Sequence, residues 1–229
     1  MRQENTLDVM IEPRLSKENI RDHYNKLGDK QNRQHLYEIP AFNAILQNGQ
    51  FETAGHVIEL GCGTGRLALQ LFKEKLPDEA HYIGLDISEA MIELARKNLK
   101  PFSPRIKLSE KDASEALPLE NEAVDRCVIS YMFDTFQKND IENTLIEAHR
   151  ILKKDGLLCL SSLAPISSGV SGIISKLWAK IYNFNPKLVG GCQPVDLAAL
   201  LNEDFWSIEH KEHVTAYGIA SDVIVAKRL

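Results

Sequence analysis

Residues 57–65 read V-I-E-L-G-C-G-T-G. A short apolar run ends in three glycines at alternate positions, Gly61, Gly63 and Gly65. The run has the length and character of a buried strand. Glycine after it lets the backbone turn sharply and lets another molecule come close to the main chain. The question is what approaches there, and the flanking sequence narrows it.

The pattern around this stretch alternates. Residues 56–60 form the strand, and GRLALQLFKEKL (65–76) has helical spacing with Leu67, Leu71 and Phe72 inward and Pro77 beyond its end. HYIGLDI (81–87) is a second strand. SEAMIELARKNL (88–99) is a helix capped by Ser88, with Met91, Ile92 and Ala95 on one stripe. RIKLSEKDA (105–113) runs from strand into loop, and AVDRCVISY (123–131) is another strand. Residues 139–154 read as a helix with Ile141, Leu145, Ala148 and Leu152 in step, and Asp155-Gly156 turns the chain into a strand over 157–163. Strands that alternate with helices, and are apolar on both sides, make a parallel sheet covered on both faces.

The ends differ. Residues 16–28 and 37–50 read as two N-terminal helices, the first capped by Ser16, the second stopped by Gly49. Residues 168–190 carry an apolar helical stripe that includes Leu177, Trp178 and Ile181. It reads as an inserted packing helix, a cover over a pocket or an interfacial helix. A short helix over 194–203 precedes two strands, 205–214 and 221–229, whose close spacing requires antiparallel pairing. The expected fold is a doubly wound α/β domain, with a seven-stranded, mostly parallel sheet and an antiparallel C-terminal strand. Residues 1–50 form an N-terminal helical lid, and 51–229 form the main domain with an insertion at about 165–192.

Composition sets bounds on function. The 229 residues are 44% hydrophobic, enough for one large core, and the net charge of −5 has no dense Lys/Arg run to follow a nucleic-acid backbone. The four cysteines form no C-x-x-C pair and have no His cluster near them, so no metal site is expected and a reducing cytoplasm fits. The first residues hold no apolar signal core, and no stretch reaches the ~20 apolar residues of a membrane span.

Spacing then limits the ligand. A dinucleotide loop needs G-x-G-x-x-G. Here the third position is Arg66, and Gly65 comes one residue early. Asp86 ends the second strand, where a carboxylate can accept from ribose hydroxyls or merely cap the helix that follows. After the third strand, Asp112 can accept from an adenine amino group and the Ala113 N–H can donate to a ring nitrogen, though an Asp there also suits a turn.

In this order the segments Glu59–Gly65, Gly84–Ser88 with Met91, Asp112-Ala113, Asp125–Tyr131 and Glu147–Gly156 resemble the class I S-adenosylmethionine-dependent methyltransferases. The resemblance covers roughly residues 55–163 and is nearest to the ubiquinone/menaquinone-type subgroup (methyltransferase type 11/25-like). The family's usual Pro-Gly-Gly turn is Lys154-Asp155-Gly156 here, which keeps one Gly. The resemblance implies that S-adenosylmethionine is the cofactor. It places Leu60, Gly61, Cys62, Gly63 and Gly65 against the methionine part, and Glu59 and the Ser130 carbonyl at the ammonium. Asp86 goes to the ribose, Ile87 and Met91 beside the adenine, Asp112 and Ala113 at its edge, and Tyr24 over the cofactor.

Methyl transfer from a sulfonium is a displacement in which positioning supplies much of the rate, and a base is needed only when the acceptor holds its proton. Tyr131 and Asp134 follow the fourth strand, where an acceptor approaches, and His23 lies in the lid helix. Tyr131 is the first candidate for acceptor contact, then Asp134 and His23. His149, His210, His213 and His81 fit surface or packing roles. The apolar Tyr131-Met132-Phe133 suits a small, partly lipophilic acceptor better than nucleic acid. Peripheral membrane contact stays open, as does the choice of monomer or homodimer. The competing readings are an NAD-dependent oxidoreductase and a non-catalytic cofactor-binding protein.

Overall fold

The computed structural model describes residues 15–28, 35–165 and 191–229. The inserted stripe expected over 168–190 lies outside the described residues. The first strand, β1 (His56–Leu60), is exposed only at its first residue and buried along the rest. Its neighbours are β2 (His81–Asp86) on one side and β4 (Val124–Ser130) on the other, both parallel to it. Ile58 sits between Ile83 and Cys127 in register. β3 (Ile106–Glu110) extends the sheet beyond β2, and β5 (Leu152–Leu163) extends it beyond β4. β7 (Ile219–Arg228) then pairs antiparallel with both β5 and β6 (Trp206–Ala216). The order across the seven strands is β3-β2-β1-β4-β5-β7-β6. The winding reverses between β1 and β4, and a ligand crevice forms outside the carboxyl ends of strands at such a point.

Helices cover both faces. α1 (Lys17–Leu27) and α2 (Ile39–Asn48) precede the sheet. α3 (Arg66–Glu74) and α4 (Glu89–Asn98) follow β1 and β2, each burying the stripe that its spacing predicts. α5 (Lys138–Ile151) leads into β5, and α6 (Leu197–Leu200) precedes β6. Ile58, Leu60 and Ile129 join a cluster with Leu145 of α5 and Leu197 of α6. Val57, Tyr82 and Val128 join the other cluster, with Ile45 of α2 and Leu71 of α3.

Two boundaries differ from the sequence reading. The helix expected to run to 154 stops at Ile151, and Leu152 already pairs with Val124 as the start of β5. Lys153 Nζ is drawn to Asp125 Oδ1 at 2.8 Å, and Asp155 takes a positive φ of 63°. Cross-strand pairing and this ion pair outweigh the helical propensity of Leu152-Lys153-Lys154. The helix expected over 194–203 is only Leu197–Leu200, because the Val195 N–H is donated to the Leu163 carbonyl (3.0 Å) and holds the chain extended.

Arg126 fixes α2 to the sheet. Its side chain lies in β4, 7% exposed, and donates to the carbonyls of Gly49 (2.6 Å), Gln50 (2.7 Å) and Asp125 (2.9 Å) and to Thr53 Oγ1 (3.0 Å). Truncation leaves these acceptors unmet beside a void. Arg126→Ala is expected to cost about 3 kcal/mol, read as a lower urea midpoint at unchanged slope.

Candidate functional site

The cleft begins where β1 ends. The N–H groups of Gly61 and Cys62 both donate to the Leu85 carbonyl (2.8 and 2.9 Å), tying the glycine loop to the end of β2. The Gly65 N–H closes the turn onto the Cys62 carbonyl at 2.9 Å. Gly63 has φ 52°, and a Cβ built on it would meet nothing within 4 Å. Its N–H donates to Asp86 Oδ2 at 2.9 Å. The loop therefore holds its shape through backbone bonds and turns an open face to the cleft at Gly63.

Glu59 is 3% exposed, and its carboxylate accepts from the Tyr82 hydroxyl at 2.6 Å. Burial pushes its pKa up to about 8, against the pull of the Tyr82 hydrogen bond, with the nearby Asp86 charge adding to the rise. Asp86, partly exposed on the cleft wall, accepts from the N–H groups of Gly63 and Ser88 (2.9 Å each). Desolvation raises it to about 6, less than Glu59, because those backbone donors favour the ionised form. Among the described residues neither carboxylate forms an ion pair.

Around this pair the fold brings together most of the residues singled out in the sequence. Tyr24, Glu59, Gly61, Cys62, Gly63 and Asp86 line one cleft with Ile87, Met91, Asp112, Ala113, Ser130 and Tyr131. Leu60 and Gly65 support the loop from behind: Leu60 is fully buried, and a Cβ on Gly65 would come within 3.0 Å of Leu99. His23 and Asp134 are not among the lining residues. The His23 ring packs edge-on to Tyr24 at 5.4 Å. The Asp134 carboxylate accepts from the Ser162 hydroxyl and from the Leu163 N–H (3.3 Å).

Tyr131 stands at the end of β4 with a positive φ of 54°. Its N–H donates to the Ser161 carbonyl (2.8 Å) and its hydroxyl to Ser221 Oγ (2.8 Å). Burial holds this phenol far above the ordinary tyrosine range, so it stays protonated and keeps donating to Ser221 Oγ.

Several site residues have no local signal in the sequence. Lys17 Nζ reaches Ser114 Oγ (2.6 Å), Asp112 Oδ2 (2.8 Å) and Asp140 Oδ1 (2.9 Å), closing a knot between α1, the loop after β3 and α5. Asp112 Oδ1 is occupied as well, by the Ser114 N–H and hydroxyl. At the other end of α1, Asn25 Oδ1 accepts from Ser88 Oγ (2.6 Å). Ile20, Glu38, Phe42, Arg66 and Phe136 also line the cleft. Thr64 alone could have been found, by its place within the glycine loop.

This sheet order, with one antiparallel strand inserted next to the edge and a glycine turn after the first strand, is the fold of the class I S-adenosylmethionine-dependent methyltransferases. Residues 57–156 match the methyltransferase domain family. The chain is similar to the demethylmenaquinone methyltransferase of Thermus thermophilus, 31% identical over 136 residues, covering 59% of this chain and 60% of that protein. It is 26% identical over 171 residues to the demethylmenaquinone methyltransferase of Symbiobacterium thermophilum, covering 68% of this chain and 63% of that protein. The chain thus spans less than two thirds of these relatives. Among solved structures, magnesium protoporphyrin IX methyltransferase from Synechocystis PCC 6803 with bound SAH superposes with a TM-score of 0.70 at 18% identity, over 93% of this chain and 100% of that one. The PH0226 protein of Pyrococcus horikoshii gives 0.64 at 18% identity, over 94% and 100%. At such identity the likeness shows the fold. Among the described residues no helix is long and apolar enough to cross a membrane.

Proposed function

We propose that the chain transfers a methyl group from S-adenosylmethionine to a small, partly lipophilic acceptor of phenol or quinol type. One observation carries the reading: two carboxylates without a cationic partner among the described residues, Glu59 and Asp86, flank the open seat at Gly63. That donor set suits a ligand with an ammonium, a sulfonium and ribose hydroxyls. Asp86 would suit the ribose of a dinucleotide as well, so the distinction rests on Glu59, a buried acceptor beside the loop that offers nothing to a diphosphate. No observation favours the oxidoreductase alternative.

When bound, the cofactor supplies an electrophilic methyl group on sulfur. In this reading Glu59 and the Ser130 carbonyl hold the ammonium. Asp86 takes the ribose hydroxyls. Ile87 and Met91 enclose the adenine, and Ala113 and the remaining acceptor capacity of Asp112 meet its edge. Tyr131, Phe42 and Phe136 form an apolar wall for the acceptor, which excludes water. The relatives' printed activity on demethylmenaquinone supports the acceptor class. Calorimetric titration with S-adenosylmethionine, its demethylated product and NAD, followed by a radiolabelled methyl-transfer screen over phenols, quinols, amines and thiols, tests the reading. Binding of NAD alone, or binding without transfer to any acceptor, would end it.

The lid expected over residues 1–50 is proposed in narrower form. α1 lies across the cleft with Ile20 and Tyr24 facing it, pinned by Lys17 at one end and Asn25 at the other. The Lys17 side chain is 39% exposed, so its ion pairs hold the helix by about 1 kcal/mol. Lys17→Met is expected to speed release of S-adenosylhomocysteine about fivefold. Amide exchange over 17–27 should accelerate in parallel, and unchanged exchange there would remove the latch.

A further inference from the structure

We propose that Arg66 binds the carboxylate at the amino-acid end of the cofactor, so that the cleft recognises that end as a zwitterion. The inference rests on the methyltransferase reading above and deepens it. Arg66 is the residue that breaks the dinucleotide glycine pattern. It opens α3 directly after Gly65 and lines the cleft together with Glu59, Gly61 and Gly63.

In the free protein this placement is unfavourable in three ways. The Arg66 Nη1 is buried and donates to no acceptor. A charged donor in that position has lost its hydration with nothing in return. Among the described residues Arg66 also enters no ion pair, whereas Lys111, another cation of the lining, lies 3.2 Å from Glu115. Finally, α3 has no acidic residue in its first turn and no side-chain cap at Gly65. The guanidinium therefore adds to the positive end of the helix instead of offsetting it. An anion in the cleft relieves all three.

The proposed cofactor carries one anionic group, the carboxylate beside its ammonium. Glu59 precedes the glycine turn and Arg66 follows it, so the turn is flanked by a negative and a positive side chain. The ammonium and carboxylate of an α-amino acid share one carbon, and this pair of opposite charges matches them. A guanidinium can also give a carboxylate two parallel N–H bonds. A carboxylate on the acceptor fits less well, because Phe42, Phe136 and Tyr131 make that wall apolar.

The test is calorimetry with S-adenosylhomocysteine and with its decarboxylated analogue, which keeps the ammonium, the ribose and the adenine. Wild type should prefer the carboxylate form by about 30-fold. Arg66→Met should remove that preference by weakening S-adenosylhomocysteine alone. Arg66→Lys, which keeps the charge without the paired donors, should retain part of it. The melting temperature of free Arg66→Met should not fall, because the orphaned donor leaves with the side chain. Equal losses on both ligands with a lower melting temperature mark a structural role and overturn the proposal. A wild type that binds the two ligands alike, or an Arg66→Met that loses nothing, also overturns it and leaves the methyltransferase reading intact. A wild type that binds NAD and not S-adenosylhomocysteine overturns both.

Discussion

Gly63→Leu is expected to lose at least about 100-fold in affinity for S-adenosylhomocysteine while the protein stays folded. Gly63 has φ 52°, and the direction of its missing Cβ is empty to 4 Å. A side chain there meets no protein atom, so the cost to stability is the left-handed backbone alone, about 1–2 kcal/mol. For a domain of this size that is a drop of a few degrees in melting temperature. The side chain instead fills the seat between Asp86 and the cleft, and the ligand must give way to it. The neighbouring glycines make poorer probes. A Cβ on Gly61 would come within 3.1 Å of Met132 and one on Gly65 within 3.0 Å of Leu99, so changes there disturb the fold and the seat together. Calorimetry with the demethylated cofactor reads the outcome. Wild-type affinity in Gly63→Leu would place the ligand somewhere other than this loop.

The second large effect is a dependence on pH whose sign is opposite in the free and loaded protein. Glu59 is raised to about 8 and Asp86 to about 6, against about 4 for each in an unfolded chain. Between these values the native state binds more protons than the unfolded one. Stability of the free protein therefore falls as pH rises, through about 4 to 6 from Asp86 and about 4 to 8 from Glu59. For Glu59 the loss is on the order of 5 kcal/mol. The lowered pKa values of Asp112, Asp125 and Glu147 act the other way below about pH 4, outside this window, and those of His23 and His149, held down by burial, oppose the fall within it, around pH 6. A bound cation favours both ionised carboxylates, so cofactor affinity rises with pH toward 8 and binding near pH 7 releases about one proton. Urea midpoints against pH, and calorimetry in buffers of different ionisation enthalpy, check the two halves. Glu59→Gln should flatten the stability slope between pH 6 and 8 and abolish the proton release. A variant with the wild-type slope and release would sink this assignment.

Most residues expected to meet a cofactor line one cleft, because their signals are local. Gly61, Gly63 and Gly65 lie within five positions, and Asp86 and Asp112 fall at the ends of the next two strands, where parallel pairing brings them beside the loop. Helical spacing located Met91 for the same reason. Two of the three residues expected at the acceptor do not line that cleft. Asp134 and His23 sit at plausible places in the chain, yet Asp134 is tied to Ser162 and Leu163 of β5, and His23 packs on Tyr24. Periodicity says which face of an element is buried, not which neighbour occupies its polar groups.

The chain by itself determined the strand–glycine–helix turn, the alternation that builds a covered parallel sheet, the antiparallel return of the last strands and the type of cofactor. Each depends on residues a few positions apart, through strand or helix period, backbone freedom at glycine, and carboxylates at strand ends. Only the tertiary structure decided the rest. It ended α5 at Ile151 by pairing Leu152 with Val124. It turned the Tyr131 hydroxyl to Ser221, 90 residues away, joined Lys17 to Ser114 across 97 residues, and set Glu38 on the cleft wall. These contacts form where segments distant in sequence meet, so their partners leave no mark in the local pattern that a reader of the sequence can follow.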